Sequence, residues 1–67
     1  MPDDAVISVE IHGHRYPIRS TLDQEYVGRL ARYVDEKMRA AADSAPSSDA
    51  LRLAVLAALN VADELFR

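Results

Sequence analysis

Apolar and polar residues alternate near the start of the sequence. Ile7, Val9 and Ile11 occupy every second position, and polar residues stand between them. Successive side chains of a strand point to opposite faces, so this alternation is typical of a strand with one buried face. The pattern predicts a first strand over about residues 6–11.

A second strand is predicted at residues 15–18, where Tyr16 and Ile18 fall on one side. The residues between the two strands, HGH at 12–14, predict a turn because glycine adopts positive φ without strain. Pro17 cannot donate a ladder hydrogen bond. Its strand is therefore expected at a sheet edge, or with the Pro17 nitrogen facing outward.

Further along, apolar residues recur at spacings of three and four, which is the period of a helix. This pattern predicts a first helix over about residues 24–42. Thr21 or Asp23 can cap its N-terminus, because both carry a side-chain oxygen. The apolar stripe of this helix consists of Tyr26, Val27, Leu30, Val34, Met38 and Ala41.

The segment DSAPSSD then interrupts the helical pattern. Pro46 cannot continue a helix, and Ser47 or Ser48 can cap the next one. A second helix is predicted over about residues 49–67. The predicted fold is therefore α+β, with a β-hairpin followed by two helices in a single domain over residues 1–67.

The second helix is more apolar than a small soluble domain requires. On a wheel at ~100° per residue, one side carries an apolar arc wider than the ~100° stripe of an ordinary surface helix. Leu53, Leu56 and Ala57 add apolar side chains to the opposite side, beside Asn60. The wide arc consists of Leu51, Ala54, Val55, Ala58, Leu59, Val61, Ala62, Leu65 and Phe66.

One of these faces can pack on the hairpin and the first helix, and the other needs a further surface. A second copy of the chain is the simplest candidate, because two-fold homodimers are the commonest oligomers. Asn60 would either fix the register of such a pairing or lie exposed. The predicted dimer interface consists of Leu53, Leu56, Ala57, Leu59, Asn60 and Phe66.

Length and composition strengthen the expectation of a partner subunit. A chain of 67 residues buries only about 60% of its unfolded surface and usually needs an additional source of stability. The absence of cysteine excludes disulfides and thiolate zinc sites. The formal charge of -3 argues against a general nucleic-acid binder, which would need a basic face.

The sequence also gives no sign of a membrane or export segment. Its start, MPDDAVIS, lacks the basic region and long apolar run of a signal peptide. The uncharged stretch 53–62 of the last helix is far shorter than the ~20 residues that cross a bilayer. The prediction is a cytoplasmic protein.

Candidate chemistry is sparse. His12 and His14 could point the same way, but two ligands are insufficient for a metal cage. Asp35 and Glu36 are neighbours on a helix and do not face each other, so they do not form a carboxylate pair for catalysis. With no phosphate loop, nucleophile elbow or cysteine nucleophile, we expect no enzymatic activity, metal or cofactor.

Three segments carry a resemblance to a known family. IHGHRYPI at 11–18, YVDEKM at 33–38 and AALNVADEL at 57–65 resemble the ZapA family of bacterial cell-division proteins, in the same order and spacing. The resemblance covers nearly the whole chain, and AALNVADEL is its most specific part.

The resemblance implies a small ββαα head followed by a long coiled-coil helix. It implies a homodimer, paired into a tetramer in a longer chain, so that Arg67 is expected inside a helix that continues in the family. It also implies binding to FtsZ, the tubulin-like division GTPase, and crosslinking or alignment of FtsZ protofilaments in the Z-ring at mid-cell. The family has no catalytic activity.

In the family, FtsZ binding is attributed to basic positions on the head, and the hairpin commonly carries arginine there. This chain has His14 at the corresponding turn position and Pro17 where another basic residue can occur. The residues that the resemblance indicates as FtsZ-binding candidates are His14, Arg15, Arg19, Lys37 and Arg39.

The alternative function is a small DNA-binding dimer that uses one helix for recognition. The last helix has only Arg52 and Arg67 as basic groups, with Asp63 and Glu64 between them, which suits a major groove poorly. The charge pattern therefore favours the filament adaptor.

Overall fold

The computed structural model describes residues 5–44 and 49–67. Within them the chain forms a two-stranded antiparallel sheet followed by two helices, which confirms the predicted α+β class. Both strands and the first helix are longer than predicted. Where an observed end differs from the predicted one, the difference is one or two residues. The elements are β1 (Ala5–Ile11), β2 (His14–Ser20), α1 (Gln24–Ser44) and α2 (Ala50–Phe66).

The chain divides into two compact units, Met1–Asp35 and Glu36–Arg67, and the boundary falls inside α1. The first unit contains the hairpin and the N-terminal part of α1, and the second contains the rest of α1 and α2. The prediction of one domain over the whole chain stays a prediction.

A turn of two residues joins the strands. His12 has φ 54° and Gly13 has φ 78°, and positive φ at both central positions is the type I′ turn, whose twist matches that of the flanking strands. The predicted turn at 12–14 is one residue too long, because His14 already pairs with Ile11 in the ladder.

The ladder register explains how β2 accommodates a proline. Ile11 and His14 close the two-residue turn as a hydrogen-bonded pair, and hydrogen-bonded pairs then alternate with non-hydrogen-bonded ones. Pro17 lies opposite Ser8, three positions from the closing pair, and therefore at a non-hydrogen-bonded position. Its nitrogen faces away from β1, as the sequence predicted, and no ladder bond is lost.

The core of the first unit lies between one face of the hairpin and α1. Ile7 and Val9 of β1 are buried with Val27 and Ala31 of α1, and Ile11 packs against this cluster. The alternation along β1 therefore has the predicted consequence, with its even-numbered residues exposed. In α1 the buried side is narrower than predicted, since Tyr26, Leu30 and Val34 are all exposed.

An aspartate precedes each helix and caps its N-terminus. The main-chain oxygen of Asp23 accepts a hydrogen bond from the N–H of Val27 at 2.9 Å, and its carboxylate accepts from the N–H of Tyr26 at 3.3 Å. Asp49 is the N-cap of α2, and its carboxylate accepts from the N–H of Leu51 at 3.2 Å. Asp23 thus caps α1 in place of Thr21. Ser47 and Ser48, the predicted caps of α2, lie outside the described residues.

Burial in the second unit distinguishes the two faces of α2. Leu53 and Ala57 are only 2% and 3% exposed, and Leu56 is half-buried. These three residues were predicted to lie in the dimer interface, but the chain itself buries Leu53 and Ala57. The wide apolar arc is exposed at Leu51, Val55, Leu59, Leu65 and Phe66, of which Leu59 and Phe66 belong to the predicted interface.

Candidate functional site

The hairpin register separates the predicted filament-binding residues of β2 into two faces. Residues opposite each other in the ladder share a face. Arg15 and Arg19 lie opposite Glu10 and Val6, on the face turned away from α1. His14 lies opposite Ile11, on the face that carries the core.

The outer face of the hairpin presents Arg15 to solvent. A guanidinium nitrogen of Arg15 lies 4.0 Å from a carboxylate oxygen of Glu10, and both side chains are more than half exposed. An ion pair this long and this exposed contributes little to stability, so Arg15 can exchange Glu10 for another anionic group at low cost. Arg19 is exposed on the same face.

His14 has an aromatic neighbour on the inner face. Its ring centroid lies 6.5 Å from that of Tyr16, and the two ring planes are nearly perpendicular at 88°. Edge-to-face arrangements of this kind are favourable. Within the described residues, no group of three or more histidine, cysteine, aspartate or glutamate side chains could hold a metal ion.

The remaining two candidates belong to the second unit. The ammonium group of Lys37 donates a hydrogen bond to the carboxylate of Glu64 on α2, and the Lys37 side chain is only 25% exposed. Its charge is therefore already neutralised within the unit. Arg39 is exposed on α1.

Sequence reasoning missed a long-range contact that fixes the hairpin turn. The main-chain N–H of His12 donates a hydrogen bond of 2.7 Å to Oδ1 of Asp35 on α1. In the sequence, Asp35 was considered only beside Glu36, as a possible carboxylate pair. Nothing in the local pattern indicated that the turn would reach it.

α2 presents an apolar face to solvent in the second unit. Its outermost side chains are Leu65 and Phe66, exposed by 77% and 84%. Contiguous apolar surface of this kind marks an interaction site in soluble proteins. Of the predicted interface residues, Leu59, Asn60 and Phe66 are on the surface.

The first unit has an apolar groove of its own. It has a volume of about 220 Å³ and runs between the hairpin and α1 on the β2 side. The exposed residues Ile18, Leu22, Leu30 and Val34 line it, together with core residues. The partly exposed stripe of α1 therefore forms one wall of a concave apolar surface.

None of the described helices is long and apolar enough to cross a membrane.

Comparisons with known proteins identify the family of the chain. The family model for the cell division protein ZapA matches residues 7–67. The cell division protein ZapA of Shouchella clausii is 37% identical over 60 residues, which are 90% of this chain and 77% of that protein. The ZapA protein of Bacillus thuringiensis strain Al Hakam is 42% identical over 55 residues, covering 82% of this chain and 62% of that protein.

A solved structure supports the same relationship. It is a ZapA mutant dimer from Geobacillus stearothermophilus, 32% identical in sequence, with a TM-score of 0.76. The similarity covers 94% of this chain and 73% of that one. Fold, family model and sequence relatives coincide over almost the whole chain, and the chain therefore belongs to the ZapA family of cell-division proteins.

Proposed function

We propose that this protein is a non-catalytic adaptor of the bacterial division machinery. It binds FtsZ and crosslinks or aligns FtsZ protofilaments in the cytoplasm at the Z-ring, and it acts as a homo-oligomer. The observation that carries the proposal is the ZapA family match over residues 7–67. The exposed surfaces of the two units supply the two contacts that such an adaptor needs.

The exposed face of α2 is the self-association surface. Leu51, Val55 and Leu59 follow one another at four-residue spacing and are all more than half exposed, which places them on one side of the helix. A two-fold axis would pair this side with its copy in a second subunit. The solved relative is a dimer, which supports self-association of this chain. Tetramers are expected only where the helix is longer.

The outer face of the hairpin is the filament-binding surface. Arg15 and Arg19 share this face, and Arg15 has only a weak, exposed ion pair to give up. Exposed basic groups steer an acidic partner and fix its register. In the second unit Arg39 is a separate exposed candidate, and Lys37 forms an ion pair with Glu64. His14 contributes from the edge of the inner face.

Two copies of one weak site explain how a small adaptor can crosslink filaments. A dimer presents two hairpins, and each can bind a different protofilament. Because the second binding event then takes place at a raised effective concentration, avidity exceeds the affinity of a single hairpin. Because a monomer has only one hairpin, crosslinking depends on dimerisation through the α2 surface as well as on the hairpin.

Co-sedimentation with FtsZ filaments tests the filament contact. The double variant Arg15→Glu, Arg19→Glu is expected to lose most of the co-sedimenting fraction while keeping the oligomeric state of the parent chain. The double variant Arg52→Glu, Arg67→Glu is the charge-matched control, because it reverses the same number of arginines, on α2 and at its C-cap, outside the hairpin. Equal loss in both variants would show that net charge alone governs binding, and no loss in the double variant would refute the assignment.

The DNA-binding alternative is not favoured by the family match. The one basic side chain of α2 is Arg52. Arg67, the C-cap residue that follows α2, is already paired with Asp63 at 3.0 Å. A mobility-shift experiment with duplex DNA at low salt separates the two functions. We expect no shift at protein concentrations that saturate FtsZ filaments.

A further inference from the structure

The outer edge of β1 offers main-chain groups for which the described residues supply no partner. Hydrogen-bonded pairs alternate along the hairpin, and Val6, Ser8 and Glu10 occupy the non-hydrogen-bonded positions of β1. Their N–H and C=O groups therefore point away from β2. An edge of this kind is a template for pairing with another extended chain.

The outer edge of β2 is a poorer template. Pro17 occupies its central outward position, and proline has no N–H to offer. Natural sheets protect their edges in this way. β1 carries no proline or lysine between Ala5 and Ile11, so its edge lacks that protection.

A groove runs along the unprotected edge. It has a volume of about 280 Å³ and lies between β1 and α1, where Gln24, Gly28 and Arg32 form the helical side. Gly28 lies in its wall, and a Cβ placed on Gly28 would meet only Nη1 of Arg32, at 3.8 Å. The absence of a side chain at Gly28 therefore keeps the groove open beside the strand edge.

The groove is lined by one basic residue, Arg32, and one acidic residue, Glu10. Among the described residues Arg32 has no ion-pair partner, whereas the carboxylate of Glu10 lies 4.0 Å from Arg15, its cross-strand neighbour on the face turned away from α1. A negatively charged side chain in the groove can therefore pair with Arg32. Within the described residues, the groove thus combines an unpaired strand edge, an open helical wall and a cation without an ion-pair partner.

The geometry points to an extended, acidic segment of another protein that binds here by adding a strand to β1. Main-chain hydrogen bonds to Val6, Ser8 and Glu10 would provide affinity, and an acidic side chain facing Arg32 would provide selectivity. A sheet edge beside a helix is the arrangement used by domains that recognise peptides through strand addition. The site is separate from Arg15 and Arg19, and it does not depend on the function proposed above.

A second copy of this chain fits the groove less well. If the β1 strands of two copies paired about a two-fold axis, the inner face of the added strand would carry Ile7 and Val9, which are apolar. Glu10 of that strand would lie on the outer face, away from Arg32. Self-pairing would therefore leave the cation unmatched, whereas a foreign acidic strand would pair with it.

The test uses the full chain and a defined probe, the peptide acetyl-TVEVEVT-amide. Titration into ¹⁵N-labelled protein is expected to shift the amide signals of Val6, Ser8 and Glu10 and to slow their exchange with solvent. Replacing both glutamates of the peptide by glutamine should weaken binding about three- to fivefold, as for an exposed ion pair. Arg32→Gln should produce the same loss and abolish the difference between the two peptides.

Two variants block the site, and their effects can be distinguished from a loss of folding. Gly28→Met fills the groove while improving helix propensity, so it should weaken peptide binding about tenfold or more without lowering the melting temperature. Ser8→Pro removes one outward N–H but no ladder bond and should weaken binding by a similar factor. Ser8→Thr, which keeps the N–H, should bind as the parent chain does.

Three results would overturn the inference. The first is no detectable binding at about 1 mM peptide, the weak limit for a useful contact. The second is a set of shifted amides on β2 or on the other side of α1. The third is a change of oligomeric state in Gly28→Met at sedimentation equilibrium, which would show that a second copy covers the groove.

Discussion

The main-chain N–H of His12 donates a 2.7 Å hydrogen bond to Oδ1 of Asp35, 23 positions away in the chain. It joins the tip of the hairpin to α1 at a residue whose φ is positive. A residue other than glycine holds such a conformation only when its surroundings favour it. The carboxylate of Asp35 therefore helps to keep the type I′ turn, and with it the neighbouring Arg15, in a fixed position.

We expect Asp35→Ala to lower the free energy of unfolding by about 1.5–3 kcal/mol, the usual range for a hydrogen bond to a charged group. Asp35→Asn keeps an acceptor oxygen and should lose less. Urea unfolding measures both variants, and hydrogen exchange of the His12 amide reports the bond directly. If the His12 amide exchanges equally fast in the parent chain and in Asp35→Ala, the bond does not hold the turn.

The two glycines give opposite predictions. Gly28 lies inside α1, and a Cβ there would make only an ordinary contact with Arg32, so Gly28→Ala should stabilise the chain by about 0.5–1 kcal/mol. Gly13 also has open space around its Cβ position but has φ 78°, so Gly13→Ala should destabilise by about 1–2 kcal/mol. Thermal unfolding measures both, and equal signs would contradict the backbone argument.

Substitutions at two leucines distinguish the roles of the two faces of α2. Leu59→Asp changes an exposed residue and should leave the subunit folded while dissociating the dimer, because it places an unpaired charge in the proposed interface. Leu53→Ala removes a buried side chain and should lower stability by about 2–5 kcal/mol. Sedimentation equilibrium and urea unfolding together measure these effects. A stable Leu59→Asp dimer would place the interface elsewhere.

Local periodicity was sufficient to predict the elements of the fold. The alternation of Ile7, Val9 and Ile11 predicted a half-buried strand, and burial follows it residue by residue. Helical spacing predicted both helices, and the breaks around them hold aspartates that act as caps. These features depend on neighbours close in sequence, and a sequence pattern records them directly.

The faces of α2 were harder to predict because the helix is apolar on nearly all sides. A helical wheel identifies a buried face by contrast with polar residues, and here Leu53, Leu56 and Ala57 competed with a wider apolar arc. In the structure the buried face of α2 is the one that carries Leu53 and Ala57. The contact between His12 and Asp35 could not be predicted from the sequence pattern either, because it depends on how two elements distant in sequence pack.

Crosslinking should require both surfaces, whereas binding should require only one. Leu59→Asp is expected to co-sediment with FtsZ filaments at reduced apparent affinity, because a monomer keeps its hairpin but loses avidity. It should not bundle filaments, which light scattering measures. The double variant Arg15→Glu, Arg19→Glu should lose co-sedimentation and bundling together while still forming dimers. If monomeric Leu59→Asp bundles filaments as the parent chain does, one subunit must carry two filament sites, and the role of the α2 face in crosslinking would have to be abandoned.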